Sequence, residues 1–205
     1  NKSKCDEFCV SFCYINTKKS KKHLVNALLR VPRTRYELIP NYARIAASLI
    51  RLYPEISTPL IDGLMKEFYG MLKTKHQQHI ENKIKNIRFI GELIKFNVAP
   101  PIIAFRIFQK LISDFVHHNI EICATLLETC GRYLYLTPHT HDRLESILDT
   151  ILRLRRAKNL DYRQQTALEA AYFTVKPPEK VTKKKKEYTI IQQYIQHLLF
   201  IKLNK

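Results

Sequence analysis

Lys85 to Phe96 reads KNIRFIGELIKF, a strongly helical run that nevertheless carries Gly91 at its centre. A glycine inside a helix costs about 1 kcal/mol relative to alanine, so its place in one of the most apolar segments of the chain asks for a packing reason. Ile84, Ile87, Ile90 and Ile94 form one apolar stripe, and Phe89, Leu93 and Phe96 form a second beside it. A stripe wider than one face marks a helix held between neighbours. Lacking a Cβ, Gly91 lets the backbone of an adjacent helix approach closely, and the packing gained offsets the propensity lost. Gly131, in ETCGRYL, reads the same way, on a helix where Ile122, Leu126, Leu127 and Leu134 also spread over two faces.

Outward from this stretch the helical period of apolar residues continues almost without a break. Helices are predicted over 6–15, 19–30, 40–53 and 58–75, the last with Thr58 as cap and Pro59 in the first turn. Further helices follow over 79–96, 102–115, 120–136, 138–158 and 162–174, where Pro177 and Pro178 forbid continuation. Residues 176–187 read as a basic linker before a last helix over 188–203. Helices of about 12 to 19 residues joined by short turns pair as antiparallel hairpins, and two per repeat make a unit of about 40 residues, the HEAT size. The expectation is an all-α, HEAT-like helical-repeat solenoid of about ten antiparallel helices in five pairs, one domain over 1–205. Exact self-similarity is not visible, so a plain helical bundle stays open.

Composition agrees with a folded, helical chain. Of 205 residues 45% are hydrophobic and 26% charged, and only four are glycine, values that suit a globular protein and leave few hairpin turns. The net charge of +17 is concentrated at the ends. Residues 1–35 hold nine Lys/Arg against two acids, and residues 176–205 hold eight against two, leaving +4 on the rest. Basic ends attract polyanions, nucleic acid first; the blander reading is that they keep the chain soluble.

Five cysteines with no short-spaced pair argue against a disulfide framework or a zinc site and for a reducing intracellular compartment. Cys5, Cys9 and Cys13 share one helical face with Phe8 and Phe12 nearby, and Cys123 and Cys130 sit in another apolar helix, where thiols pack as small hydrophobes. The longest uncharged run, YTIIQQYIQHLLFI over 188–201, is amphipathic and shorter than a membrane span. Opening on Asn1 rather than methionine, the chain reads as a piece of something longer, with any targeting signal outside it.

Chemistry is thinly represented. No phosphate loop, dinucleotide fingerprint, nucleophile elbow or HExxH motif occurs. His117 with His118, and His139 with His141, lie at predicted helix starts without partners at metal-ligand spacing. Glu92 and Glu128 lie on apolar helices, where pairing with Arg88 or Lys95 at helical spacing accounts for them better than acid–base work. Neither catalytic residues nor a metal or cofactor are expected. Basic clusters are more prominent: Lys18, Lys19, Lys21 and Lys22; Arg30, Arg33 and Arg35; Arg153, Arg155, Arg156 and Lys158; and Lys183, Lys184, Lys185 and Lys186. Each could track a phosphate backbone, yet aromatic residues are not interleaved as a single-strand stacking platform requires. Any RNA contact would then be weak, backbone-directed and sequence-tolerant, and the four-lysine run also reads as a solvated linker.

IKNIRFIGELIKF, over 84–96, resembles the signature segment of the middle domain of translation initiation factor 4G. Its Arg88, Phe89, Ile90, Gly91, Glu92 and Leu93, with Gly131, make up the structural core signature. VPRTRYELIPNYARIAASL (31–49), LISDFVHHNIEICATLLETCGRYLY (111–135), LDYRQQTALEAAYF (160–173) and the PPEK…KKKK tail further resemble the second of three such domains in the scaffold factors of nonsense-mediated mRNA decay. Residues 1–15 and YPEISTPLIDGLMKEF (53–68) match loosely. The resemblance implies a cytoplasmic, partly perinuclear scaffold bridging an RNA helicase and an RRM-like adaptor. In that family both partners bind parts of the protein other than this domain, so no contact is carried onto residues here. Two functions are expected: a non-catalytic scaffold that positions flanking domains and offers a protein-binding surface, or, alternatively, a direct RNA-binding module using the basic ends.

Overall fold

A computed structural model describes residues 2–15, 17–31, 33–73, 80–178 and 190–198. Lys183 to Lys186, most of the expected linker and both ends of the last expected helix lie outside them. Helix α1 (Lys2–Cys13) is followed by α2 (Lys18–Leu29), a 3-10 segment (Arg33–Leu38) and α3 (Ile39–Ile50). A 3-10 turn (Pro54–Ile56) leads into α4 (Ser57–Lys73), then α5 (Ile80–Lys95) and α6 (Ile102–Ser113). Helix α7 (His117–Leu126) passes through a π-helical turn (Leu127–Gly131) into α8 (Arg132–Leu136). Helices α9 (Pro138–Ala157), α10 (Tyr162–Val175) and α11 (Ile190–His197) complete the series. No strand occurs among the described residues.

The helices stack in two rows. In one, α1 packs on α3, α3 on α5, α5 on α7, and α7 with its π turn on α10. In the other, α2 packs on α4 and α6 on α9, while α4–α5, α6–α7 and α8–α9 contacts join the rows. Among the described elements up to α10 the main contacts run between neighbours within and across the rows, the arrangement of a helical-repeat solenoid. Helix α5 sits at the middle of the first row. Ile87, Leu93 and Ile94 are fully buried there, and Phe89 and Ile90 nearly so.

Gly91 does mark a close approach, with one correction. What meets it is a side chain and not a backbone: a Cβ on Gly91 would lie 2.8 Å from Thr129 Cγ2 and 3.0 Å from Thr129 Cβ. Thr129 cannot easily yield, because it is β-branched and its hydroxyl donates to the Thr125 carbonyl at 2.6 Å. Gly131 is similarly pressed by α10, where a Cβ would fall 2.5 Å from Val175 Cγ2.

Three further expectations are corrected. Phe96 is 39% exposed and does not extend the inner stripe, because α5 ends one residue before it. Asn97 there takes the left-handed conformation (φ 58°), with Val98 N–H donating to Leu93 O at 2.9 Å and Asn97 N–H to Ile94 O at 3.0 Å. That is a Schellman stop, and it turns the chain away. Thr58 is not a cap, since the Pro54–Ile56 turn runs directly into a helix starting at Ser57. His117 and His118 lie inside the seventh helix rather than ahead of it, and that helix is interrupted by the π turn.

Burial of polar residues in α5 was not foreseen. Asn82, Lys83, Lys85, Asn86 and Glu92 are all at least nine-tenths buried, because a helix flanked on several sides cannot expose its polar positions. Lys85 Nζ donates to Val31 O at 2.7 Å. Asn86 Nδ2 donates to Leu64 O at 3.1 Å and to Glu67 Oε2 at 3.0 Å. Glu92 is satisfied by Lys95 at 2.8 Å, as its spacing suggested. These bonds fix α5 to α4 and to the chain between α2 and α3.

Gly91→Leu should lower stability by about 1–3 kcal/mol or more through overpacking against Thr129, read as a drop in denaturation midpoint. Nothing lies within 4 Å of a Cβ on Gly70, so Gly70→Ala should instead raise stability by up to about 1 kcal/mol. Equal melting temperatures for the two variants would remove the close-approach account. Lys85→Met keeps the stem but orphans the Val31 carbonyl, and urea titration should show a loss of about 1–3 kcal/mol.

Candidate functional site

Helix α2 begins with Thr17, whose hydroxyl accepts from Ser20 N–H at 3.1 Å while Ser20 Oγ accepts from Thr17 N–H at 3.0 Å. This reciprocal cap fixes the start of the helix and with it the bearing of the lysines that follow. Lys18, Lys21 and Lys22 come to one side, and Lys19 is left off it. They rim a groove of about 350 Å³ between α2 and the start of α4. Its apolar lining is Val25 and Leu29 from α2 with Ile56 and Pro59 from the facing segment, and Asn26 and Glu55 add polar edges.

Within the groove Lys21 forms an ion pair with Glu55 and lies 4.4 Å above the Tyr53 ring. Its side chain is 17% exposed against 59% for Glu55, so the lysine is the more enclosed partner of the pair. Hydrogen bonding and charge from Lys21 hold the Glu55 carboxyl below the usual carboxylate range. Among the described residues Lys18 and Lys22 are exposed, and neither belongs to any of the ion pairs found there. Leu29 presses on Gly63 of α4, where a Cβ would meet Leu29 Cδ1 at 2.8 Å. The floor is therefore as deep as Gly63 allows.

The other sequence-selected cations are not gathered here. Arg30 and Arg35 are exposed near the opposite end of α2, about 18 Å away for twelve residues of helix; the side chain of Arg33 lies outside the described residues. At the end of α9, Arg153 and Arg156 are exposed, whereas Arg155 pairs with Glu169 of α10. Lys158 donates to Phe115 O at 2.9 Å, a structural tie rather than a free charge. The α2 cluster borders α4, and the α9 cluster lies on a helix packed against α6 and α8. Of the core signature, Arg88 is half-buried and lies 5.3 Å from the Tyr36 ring centroid, and Phe89, Ile90, Gly91, Glu92 and Leu93 are interior.

Four of the five cysteines lie buried in the fold. Burial pushes the Cys123 and Cys130 thiols up to about 12, which leaves them protonated and unreactive at neutral pH. Cys5 and Cys9 are buried and Cys13 half-buried, all as free thiols. His141 Nδ1 lies 2.6 Å from the Tyr135 carbonyl and its Nε2 3.9 Å from Glu145. Among the described residues no group of three His, Cys, Asp or Glu could hold a metal ion, and no helix is long and apolar enough to cross a membrane. What the sequence did not reveal is the groove itself, since nothing in its spacing reports that Ile56 and Pro59 face Val25 and Leu29.

Comparison with known proteins agrees with this architecture. The chain is 44% identical over 200 residues to Regulator of nonsense transcripts UPF2 of Arabidopsis thaliana, covering 98% of this chain and 17% of that protein. It is 40% identical over 208 residues to Regulator of nonsense transcripts 2 of Homo sapiens, covering 100% of this chain and 16% of that protein. Nonsense-mediated mRNA decay protein 2 of Schizosaccharomyces pombe is 32% identical over 198 residues, 97% of this chain and 19% of its own length. The chain thus spans less than a fifth of these curated relatives. With two rows of stacked helices around the KNIRFIGELIKF core, and a match to the MIF4G domain over residues 1–178, the chain belongs to the MIF4G domain family.

Proposed function

We propose that this MIF4G domain is a non-catalytic scaffold in cytoplasmic nonsense-mediated mRNA decay, positioning flanking domains and offering a surface to protein partners of the surveillance machinery. One observation carries the reading: the likeness to regulators of nonsense transcripts runs through essentially the whole chain. The architecture supports it physically. A row of helices packed neighbour on neighbour sets the distance between its two ends and displays long lateral faces. The RNA helicase and RRM-like adaptor implied by the family resemblance are partners bound by other parts of a longer protein, and this domain holds those parts in register.

The runner-up is direct RNA binding through the basic ends. Against it stands the placement of the described cations on different helices, α2 and α9, with Lys21, Arg155 and Lys158 already engaged. A backbone-directed site needs a continuous basic track. Fluorescence anisotropy of a labelled single-stranded RNA across a salt series separates the two. The scaffold reading expects negligible binding at physiological salt. Tight binding whose log–log salt slope falls by roughly 3 when Lys183 to Lys186 all become Ala would establish the RNA module instead. For the scaffold itself, a longer protein carrying Gly91→Leu in this domain should fail to restore decay of a reporter transcript with a premature stop codon.

A further inference from the structure

We propose that the groove between α2 and the start of α4 is a docking site for an acidic linear peptide bearing one bulky apolar side chain; the proposal rests on the scaffold reading and names a surface for it. The groove joins two features that seldom occur together on a solvated face. Its floor is apolar, with Val25 and Ile56 buried and Leu29 partly so, whereas its rim carries Lys18, Lys21 and Lys22. A volume of about 350 Å³ admits a leucine, phenylalanine or tyrosine with adjoining backbone.

Charge complementarity selects the occupant. Three lysines face one carboxylate across the opening, and that carboxylate, Glu55, is held by Lys21. Lys18 and Lys22 are left to meet acids from outside. They stand four residues apart in the first turns of α2, where like charges repel one another and the positive end of the helix dipole. A helix selected for stability alone would carry acids there. Carboxylates of a bound peptide relieve both repulsions, while its apolar side chain displaces water from the floor. RNA fits less well, because the described residues of the lining include no aromatic ring on which a base could stack.

The test uses the 205-residue chain and a synthetic library of 12-residue peptides with Asp or Glu at most positions and one or two of Leu, Ile, Phe or Tyr between them. Saturable binding by selected members is expected at low salt. Lys18→Glu and Lys22→Glu should each weaken it about fivefold, the worth of a good exposed ion pair, and should leave the melting temperature unchanged or higher, since acids favour a helix start. Lys19→Glu makes the same charge change off the groove and should weaken binding less. Gly63→Val, which drives Leu29 outward into the cavity, should weaken the apolar-bearing peptides selectively. Equal binding of an all-aspartate peptide, an equal effect of Lys19→Glu, tighter binding of single-stranded RNA at the same lysines, or no binder in the library would each overturn the site. If Lys18→Glu/Lys22→Glu abolishes peptide binding while the longer protein still supports decay of the reporter transcript, the groove has no part in that function and the scaffold reading stands alone.

Discussion

The contact between Gly91 and Thr129 is the constraint around which the stack is arranged. Helix α5 must bury apolar side chains toward more than one neighbour at once, and the α7 segment comes near enough only because position 91 has no Cβ. Thr129 is stiff at χ1 and tied to its own helix through Thr125, so the separation of α5 and α7 is set by hard contact. The next interface repeats the device with Gly131 and Val175. Two missing methyl groups thereby set the spacing of three successive inner elements, α5, α7 and α10.

A second layer of constraint is polar. Buried hydrogen bonds from Lys85 and Asn86 reach carbonyls in the neighbouring α2–α3 link and α4. Apolar contact alone tolerates sliding, but a buried donor satisfied by one particular carbonyl does not. These bonds therefore define register where the hydrophobic stripes only define proximity. The link that Lys85 holds lies between Arg30, at the end of α2, and Arg35 in the 3-10 segment that follows, so the core of α5 and the disposition of these two basic residues are connected.

Much of this fold was legible in the sequence. From α1 to α6, and again for α9 and α10, periodicity placed each helix within a few residues, and the doubled stripe on KNIRFIGELIKF marked α5 as an inner element. Three features escaped for identifiable reasons. Phe96 continues the apolar pattern, and only the left-handed Asn97 shows that the helix has ended. The π turn at Leu127–Gly131 leaves the apolar spacing almost unchanged, so periodicity passes over it. Lys83, Lys85 and Asn86 look like a solvated face because residue type predicts exposure only on average, whereas burial follows from what packs alongside. For the candidate site the charges were legible and the cavity was not. A groove between α2 and α4 depends on tertiary approach across Gly63, which no local pattern encodes.

The serial stack also has a leverage property. Because the main contacts among the described helices run from neighbour to neighbour, the orientation of one end of the stack relative to the other is the accumulated sum of small rotations from interface to interface. An angular change at the central α5–α7 contact is carried as a swing through every element beyond it, and displacement grows with distance from the pivot. Tight, inflexible contacts are thus most valuable at the middle of the series, and that is where Gly91 meets Thr129.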